Sequence, residues 1–275
     1  MTLHAASATV LAASFLFAVP ASAQESGGEA QELAKKLSNP VASLISVPFQ
    51  QNVDFGLGPV APDGNEGVKT VLNIQPVIPI GISSNWNVIV RTILPVVYED
   101  DIPRSGHSES GLGDVVQSFF FSPKAPGPGG VIWGVGPVGL YPSATNDDLG
   151  GQKWGLGPTF VVLKQSGPNT FGMLANHIWS VSGKSSRSYI SATFLQPFYT
   201  YATKTGTTYS LNTESTYDWK HDEWTVPVNV AVSQLVTIGD QHAQIGAGAR
   251  YYLQKPQGGP EWGLRIFLTL LFPKK

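Results

Sequence analysis

The sequence predicts an all-β protein: a single antiparallel transmembrane β-barrel of about 12 strands, preceded by a short helix. Three observations support this fold class. Apolar and polar residues alternate along most of the chain, which is the periodicity of strands. The alternating segments are about 11 to 15 residues long, which exceeds the usual strand of soluble sheets and suits a tilted crossing of a bilayer. Only 13% of the residues are charged, against about 25% in typical soluble domains.

The N-terminus has the pattern of an export signal. An apolar stretch from Val10 to Val19 is followed by Ala-Ser-Ala at 21–23, which is typical of a cleaved signal peptide. An uncleaved anchor helix is the weaker alternative, because the apolar stretch is too short. We therefore predict a signal peptide at 1–23, a helical segment in the periplasm or the lumen at 24–40, and the barrel at 41–275.

A short helix is predicted at 29–38. Its apolar residues at helical spacing are Ala30, Leu33, Ala34 and Leu37. Glu32 and Lys36 are placed as an i,i+4 pair, and Asn39 with Pro40 ends the helix. The pattern is that of an amphipathic helix.

Twelve alternating segments follow the helix. They lie at 43–57, 68–80, 86–98, 112–122, 130–141, 154–165, 170–180, 188–202, 207–219, 223–236, 241–254 and 261–272. In the third segment, for example, Trp86, Val88 and Val90 share the face opposite Asn87 and Arg91. The seventh and eighth segments alternate poorly, so their inward and outward faces stay unassigned.

Connection lengths predict the orientation in the membrane. The first, third and fifth connections, at 58–67, 99–111 and 142–153, are long, whereas those at 81–85 and 165–169 are short. Outer-membrane barrels have short periplasmic turns and longer outer loops. The odd-numbered segments are therefore predicted to run outward, with both chain ends on the periplasmic side.

Tryptophans lie near the ends of the predicted strands. Those at outer ends are Trp154, Trp179, Trp219, Trp224 and Trp262, and those near inner ends are Trp86 and Trp133. An amphipathic indole ring prefers the depth of the lipid headgroups. These rings are therefore predicted to form two belts in contact with outer-membrane lipid.

Prolines inside the predicted strands argue for local irregularities. They are Pro48, Pro76, Pro79, Pro95, Pro137, Pro158, Pro197 and Pro227. Each removes one hydrogen bond of the ladder, and a closed barrel has no edge at which to place it. Bulges or bent strand ends are predicted at these positions.

Six short blocks of the chain resemble one family. They are NPVASLISVPFQQN (39–52), LNIQPVIPI (72–80), RTILPV (91–96), GLGD (111–114), NHIWS (176–180) and LQPFYTY (195–201). In this order they are similar to bacterial outer-membrane β-barrel proteins grouped under the MetA-pathway of phenol degradation and often labelled as transporters. The resemblance spans nearly the whole mature chain. It implies a single membrane barrel for the uptake of small, partly hydrophobic compounds, and it brings no catalytic residue.

A lipid hydrolase on the barrel surface is a weaker alternative. It requires a serine and a histidine within hydrogen-bond reach. His177 and Ser180 are three residues apart on one strand and so point to opposite faces. His107 with Ser108 or Ser110 lies in a loop rich in glycine and serine, where solvated polar residues are ordinary. We predict that the protein is not an enzyme.

No metal, cofactor or nucleic-acid site is predicted. His221, Asp222 and Glu223 make one short cluster, which is typical of a hydrated turn rather than a metal site. The chain has no cysteine, which excludes disulfides and thiolate-metal sites. Its net charge is -2 with no basic run, so no nucleic-acid partner is expected.

The polar faces of the strands are predicted to line the lumen. Their charged residues are Asp54, Arg91, Asp114, Glu214, Arg250 and Arg265, and their amides are Gln50, Asn52, Asn73, Gln75 and Gln244. On the lipid face, a charge near the midplane would cost about 2 to 4 kcal/mol. Two interpretations stay open: a polar passage for a solute, or an ion-pair network that fills the barrel.

Strand number favours a narrow lumen. Barrels of about 8 strands are filled by side chains and those of about 16 leave an open pore. The predicted function is therefore an outer-membrane channel or facilitator for small molecules of an aromatic or hydrophobic kind, without a cofactor, whose solute the sequence does not name. The alternative is a structural or interaction barrel without transport.

Overall fold

The computed structural model describes residues 27–58, 66–102 and 106–272. The predicted signal peptide lies outside the described residues. Within these ranges the chain forms a helix (α1), a 3-10 turn and fifteen strands. The helix is Gly27–Leu37 and the 3-10 turn is Pro128–Gly130. The strands are Ile45–Leu57 (β1), Gly67–Ile74 (β2), Val77–Gly81 (β3), Trp86–Asp100 (β4), Ser108–Leu112 (β5), Val115–Pro123 (β6), Val131–Tyr141 (β7), Lys153–Ser166 (β8), Asn169–Gly183 (β9), Ser191–Ala202 (β10), Thr207–Thr213 (β11), Ser215–Asp218 (β12), Glu223–Ile238 (β13), Gln241–Gln254 (β14) and Trp262–Phe272 (β15).

The strands close into one antiparallel barrel. Strand β15 pairs with β1 in a continuous register from Phe55 opposite Trp262 to Ile45 opposite Phe272. Three of the chain segments that cross the barrel wall from end to end are each interrupted once. The interruptions lie between β2 and β3, between β5 and β6, and between β11 and β12. Counted as crossings, the fifteen segments make twelve barrel strands, and this confirms the predicted fold class.

Each interruption lies opposite a proline of a neighbouring strand. Between β2 and β3, the N–H of Gln75 donates to the carbonyl of Pro48 on β1 over 2.8 Å. Between β5 and β6, the N–H of Gly113 donates to the carbonyl of Pro95 on β4 over 2.9 Å. Opposite Pro197 on β10, the ladder passes from β12 to β11. Because proline has no N–H to donate, the neighbouring strand loses a ladder bond there and breaks.

The prediction of irregular strands at prolines is thus confirmed at the interruptions and at Pro227, where the register of β13 and β14 shifts. No bulge is present at Pro79, Pro137 or Pro158, so the prediction is wrong there. Pro79 pairs with Ile89 of β4 in an unbroken register. Pro137 and Pro158 face each other across β7 and β8, also in an unbroken register, while their pairs with β6 and β9 are absent. The missing N–H groups therefore cost ladder pairs on the far side of each strand without shifting the register.

The outer surface of the barrel is apolar along its length. Large hydrophobic side chains point outward from most strands, such as Leu211 on β11, Val230 on β13 and Ile266 on β15, which is 60% exposed. Apolar surface of this extent needs lipid to cover it. The closed barrel and its apolar exterior confirm the prediction of an outer-membrane protein. No helix of the described residues has the length and apolar character of a membrane span.

Aromatic rings cluster near both ends of the barrel wall. At one end, the rings of Trp86 and Trp133 meet edge to face at 5.7 Å. At the other end lie Trp154, Trp179, Trp219, Trp224 and Trp262, of which all but Trp224 are exposed. The ring of Trp262 stacks on Phe55 of the neighbouring strand at 4.5 Å. The exposed rings lie where an interfacial belt would contact lipid headgroups.

Candidate functional site

The N-terminal helix lies inside one end of the barrel. Its Ala34 is fully buried, and its apolar face packs on Leu235 and Leu271, which point inward from β13 and β15. Two hydrogen bonds join the helix to the wall. From the wall, the side-chain amide of Gln165 donates to the carbonyl of Lys35 over 2.8 Å. From the helix side, Gln31 donates to the carbonyl of Ala202 over 2.7 Å. The short turns 167–168, 203–206 and 239–240 lie at this end, which is therefore the predicted periplasmic end.

The segment after the helix runs further into the lumen. Its Val41 is buried in a cluster with Ile89, Phe120 and Leu174 of the inner wall, and Ser43 accepts a hydrogen bond from Asn87 over 2.8 Å. Burying one aliphatic side chain is worth about 1.5 to 3 kcal/mol. Apolar packing therefore holds residues 27–44, which we call the plug, against the wall.

A glycine makes room for the plug. A Cβ on Gly134 of β7 would lie 3.2 Å from the side chains of both Val41 and Phe120, which is tighter than an ordinary van der Waals contact. The wall can therefore accept the plug at this height because one of its inward positions carries no side chain.

An ion-pair network lies on the inner wall around β1, β14 and β15. The guanidinium of Arg265 donates to both oxygens of Glu214, over 3.0 and 2.7 Å, and its Nε donates to Asn52 over 2.7 Å. Arg250 lies 3.6 Å from Glu214 and 3.5 Å from Asp54. The fork of Arg265 on Glu214 is the strongest pairing geometry for these groups.

Strand register explains how these residues meet. Asn52 lies directly opposite Arg265 in the pairing of β1 with β15. Asp54 and Arg250, on the strands flanking β15, both lie opposite Gly263. A Cβ on Gly263 would overlap the carboxylate of Asp54 and approach the Arg250 stem. The glycine therefore lets the two charged side chains approach each other across an intervening strand.

Arg91 makes no ion pair with this network, although the charge of Glu214 attracts it. It points inward from β4, and its Nη2 donates to the side-chain oxygen of Gln75 over 2.9 Å. Among the described residues, no carboxylate lies within ion-pair distance of Arg91. The two acids of the network, Asp54 and Glu214, are matched by Arg250 and Arg265. Among these five side chains, three arginines therefore face two carboxylates, and Arg91 is the arginine without an ion-pair partner.

Two cavities lined by the described residues lie in the lumen, one on each side of Arg91. The inner cavity measures about 250 Å³ and lies between the plug and polar wall residues, including Gln75, Gln244 and Thr269. The outer cavity measures about 300 Å³ and has mainly apolar walls. Its apolar lining is Ile93, Val116, Leu140, Leu174, Ile178, Ile190, Ala192 and Phe194. Arg91 lines both cavities.

The remaining predicted lumen residues divide into two groups. Gln50 and Asn73 lie opposite each other on β1 and β2 and are half-buried. Asp114 instead accepts the N–H groups of Ala144, over 3.1 Å, and Gly151, over 2.7 Å. Its carboxylate therefore holds the loop 142–152 at the outer mouth and lines neither cavity.

The apolar outer cavity is the feature that sequence reasoning missed. Its walls come largely from β9 and β10, the segments in which alternation is poor. Inward Leu174 and Ile178 on β9 face the cavity, while Phe171 and Trp179 on the same strand face outward. A strand with apolar residues on both faces has no period of two, so the loss of alternation was itself the available signal.

A histidine and a serine come together on the barrel surface at His177 and Ser191. Nδ1 of His177 lies 2.7 Å from the hydroxyl of Thr193, and Nε2 lies 3.4 Å from that of Ser191. The Thr193 oxygen already accepts a hydrogen bond from the indole of Trp219 over 2.8 Å. The Thr193 oxygen has two lone pairs, so it can accept from Nδ1 as well as from the indole, and either tautomer of His177 fits these contacts. At 3.4 Å, the contact between Nε2 and the Ser191 hydroxyl is longer than an ordinary hydrogen bond.

The polar outer turns hold no metal cluster. Among the described residues, no three His, Asp or Glu side chains come together as metal ligands. His221 instead pairs with Asp218 over 2.8 Å in an exposed turn. The hydrogen bond that the His221 imidazole donates to Asp218, and the negative charge of that carboxylate, raise the pKa of His221.

Comparison with known proteins supports the fold. No family model matches the chain, and no curated protein matches it. The chain is similar to an outer membrane channel from Pseudomonas putida F1, with a TM-score of 0.63, 14% sequence identity, and coverage of 85% of this chain and 97% of that chain. It also aligns with the beta domain of the Bordetella autotransporter Brka, with a TM-score of 0.43, 12% identity, and coverage of 82% and 98%.

At these identities the likeness shows the fold alone, and the second TM-score is too low to carry an argument. The first comparison supports an outer-membrane barrel as the family to which the chain is similar. The resemblance to the phenol-degradation family stays a prediction.

Proposed function

We propose that the protein is an outer-membrane channel or facilitator for small molecules that carry an apolar body. The observation that carries this proposal is the pair of cavities in series, an apolar one toward the outer mouth and a polar one next to the plug. A barrel that served only as a structural scaffold, with its lumen filled by side chains, would not require an open cavity with apolar walls. The similarity in fold to an outer membrane channel and the resemblance to barrels of the phenol-degradation family support the same proposal.

The plug determines how such a channel would open. It narrows the inner cavity from one side, with Lys36, Ser38 and Asn39 among its lining residues. A solute that enters the outer cavity must pass between the plug and the polar wall. Transport through this route requires a shift of the plug, and small pores with a low resting conductance are expected.

A second candidate is a structural or interaction barrel without transport. The Arg265–Glu214 fork and the packing of Val41 favour it, because both fill the lumen with fixed contacts. No enzymatic activity is proposed: Nε2 of His177 and the hydroxyl of Ser191 are 3.4 Å apart, which is longer than an ordinary hydrogen bond.

Planar-bilayer recording distinguishes the two candidates. The mature protein and a variant that lacks residues 27–44 are reconstituted, and single-channel current is measured. A channel gives a small current in the parent and a larger one without the plug, because the inner cavity is then open to the periplasmic end. The matched control replaces Val41 with alanine, which should loosen the plug without removing it. Absence of current in all three proteins, with the barrels folded, contradicts the proposed function.

A further inference from the structure

The unmatched positive charge of the lumen lies at the boundary of the apolar cavity. Arg250 and Arg265 are committed to Asp54 and Glu214. Arg91 makes one hydrogen bond, to the neutral amide of Gln75. Its remaining N–H donors have no protein partner among the described residues. A guanidinium keeps its charge at every physiological pH, so this group has the capacity to bind an anion.

The surroundings of Arg91 select the kind of anion. On the outer side, Ile93, Leu174, Ile178 and Phe194 line the same cavity as the guanidinium. A small inorganic anion would gain nothing from these walls and would lose its hydration shell. An anion with an apolar body would bury that body against these side chains. A carboxylate would accept two parallel hydrogen bonds from the N–H donors of the guanidinium.

The size of the cavity limits the apolar body. At about 300 Å³, it lies at the small end of the volumes found for ligand sites. One ring or a short chain fits such a space, and a long acyl chain does not. The polar residues on the same wall, Ser118, Asn176 and Thr216, offer hydrogen bonds to a ring substituent or to water.

We infer that the outer cavity and Arg91 form a binding site for small monocarboxylates with an apolar body, of which a single-ring aromatic carboxylate is the simplest. The carboxylate binds the guanidinium of Arg91 and the ring lies among the apolar side chains. This inference rests on the proposed function, because it names the class of molecule that the passage would take. No covalent step is involved.

Equilibrium binding tests the site without requiring transport. The mature protein in lipid nanodiscs is titrated with benzoate at neutral pH, and binding is followed by isothermal titration calorimetry. Two comparison ligands separate the contributions: benzyl alcohol has the ring without the charge, and acetate has the charge without the ring. Benzoate is expected to bind most tightly. Benzyl alcohol or acetate binding as tightly as benzoate would overturn the inference.

Substitution of Arg91 tests the role of the charge. Arg91→Gln should weaken benzoate binding roughly 10- to 100-fold, the range for hydrogen bonds to charged groups, and should leave benzyl alcohol binding within a factor of about 2. Arg91→Lys keeps the charge but loses the fork, so it should show an intermediate affinity. The control Lys164→Gln removes a positive charge from the exposed outer wall and should change neither ligand. Unchanged benzoate affinity in Arg91→Gln contradicts the inference.

If Arg91→Gln does not fold, a variant in the apolar wall of the outer cavity tests the site instead. Ile178→Asn places a polar side chain in the outer cavity and should weaken benzoate and benzyl alcohol alike. Equal benzoate affinity in this variant and the parent overturns the inference. Folding of each variant is checked by its gel mobility before and after boiling. The bilayer recording decides the proposed function separately: current without benzoate binding refutes only the site, and binding without current refutes only the transport.

Discussion

The inner wall of the barrel has two dissimilar regions. Around β1, β14 and β15, inward positions carry Asp54, Arg250 and Arg265, which are held by direct pairing. Around β4, β9 and β10, the inward positions are mostly apolar, with Leu174 and Phe194 among them. The polar region alternates with the lipid-facing residues more regularly than the apolar region does, although Leu271 on β15 also points inward. The alternation of polar and apolar residues along a strand therefore reflects the difference in polarity between lumen and lipid. It disappears wherever the lumen is as apolar as the membrane.

The largest expected effect comes from removing the carboxylate of the polar region. In Glu214→Ala, Arg265 and Arg250 lose their shared partner inside the lumen. Breaking a buried pair in this way costs about 3 to 5 kcal/mol. The free energy of unfolding is measured by urea titration in lipid vesicles, with Glu223→Ala at an exposed strand end as the control. A loss of only about 0 to 1 kcal/mol would show that water solvates the arginines.

The matching change in the apolar region is Leu174→Ala. Leu174 is 3% exposed and packs in the cluster that contains Val41 of the plug. A leucine-to-alanine change in a core costs about 2 to 5 kcal/mol. Because Leu174 also lines the outer cavity, this variant should raise the conductance as well. Leu253→Ala, on the exposed outer wall, serves as the control for the same titration. Equal losses in the two variants would mean that Leu174 is not part of a packed core.

A smaller effect is expected from Gly263→Ala, which tests how the polar region is assembled. The added methyl group would overlap Asp54 and force it away from Arg250. Such overpacking costs about 1 to 3 kcal/mol. In the control Gly81→Ala, the new methyl group meets nothing closer than 3.6 Å. If Gly263→Ala is as stable as the parent, Asp54 and Arg250 have room to meet without the glycine.

The smallest effect lies outside both regions, in the exposed turn of His221. Because Asp218 raises the pKa of His221 in the folded protein, the pair contributes stability that is fully present below the ordinary histidine pKa of 6.5. That contribution is lost as the pH rises through the raised pKa of the folded state. His221→Gln should therefore lower the unfolding midpoint slightly at acidic pH and leave it unchanged at alkaline pH. A difference that grows toward alkaline pH would contradict this assignment.

Most of the fold could be predicted from single positions along the chain. The twelve crossings, the apolar exterior and the strand breaks near Pro48, Pro95 and Pro197 follow from local rules of periodicity and hydrogen bonding. The inward direction of Arg91 and Arg265 follows from the same period. The partners of these residues could not be predicted, because pairing depends on the register between neighbouring strands.

Asp114 and Arg91 illustrate that limit. Alternation assigns both to the inner side of the wall, yet one holds the outer loop 142–152 and the other faces two cavities. The period of two along a strand predicts only whether a side chain points toward the lumen or toward the lipid. It does not give the height of the residue in the barrel or the loop that folds over it, and these determine what the side chain contacts.

The sequence by itself determined that the chain is a membrane-spanning barrel, because the cost of placing polar groups in lipid acts on each residue separately and leaves a period of two. Only the tertiary structure decided that α1 lies within the lumen, that Glu214 reaches Arg265 across two intervening strands, and that Arg91 remains unmatched beside an apolar cavity. Such contacts join residues far apart in the chain, such as Asn52 and Arg265. The contact between Asn52 and Arg265 exists because the closure of β15 on β1 brings the two ends of the barrel sheet together.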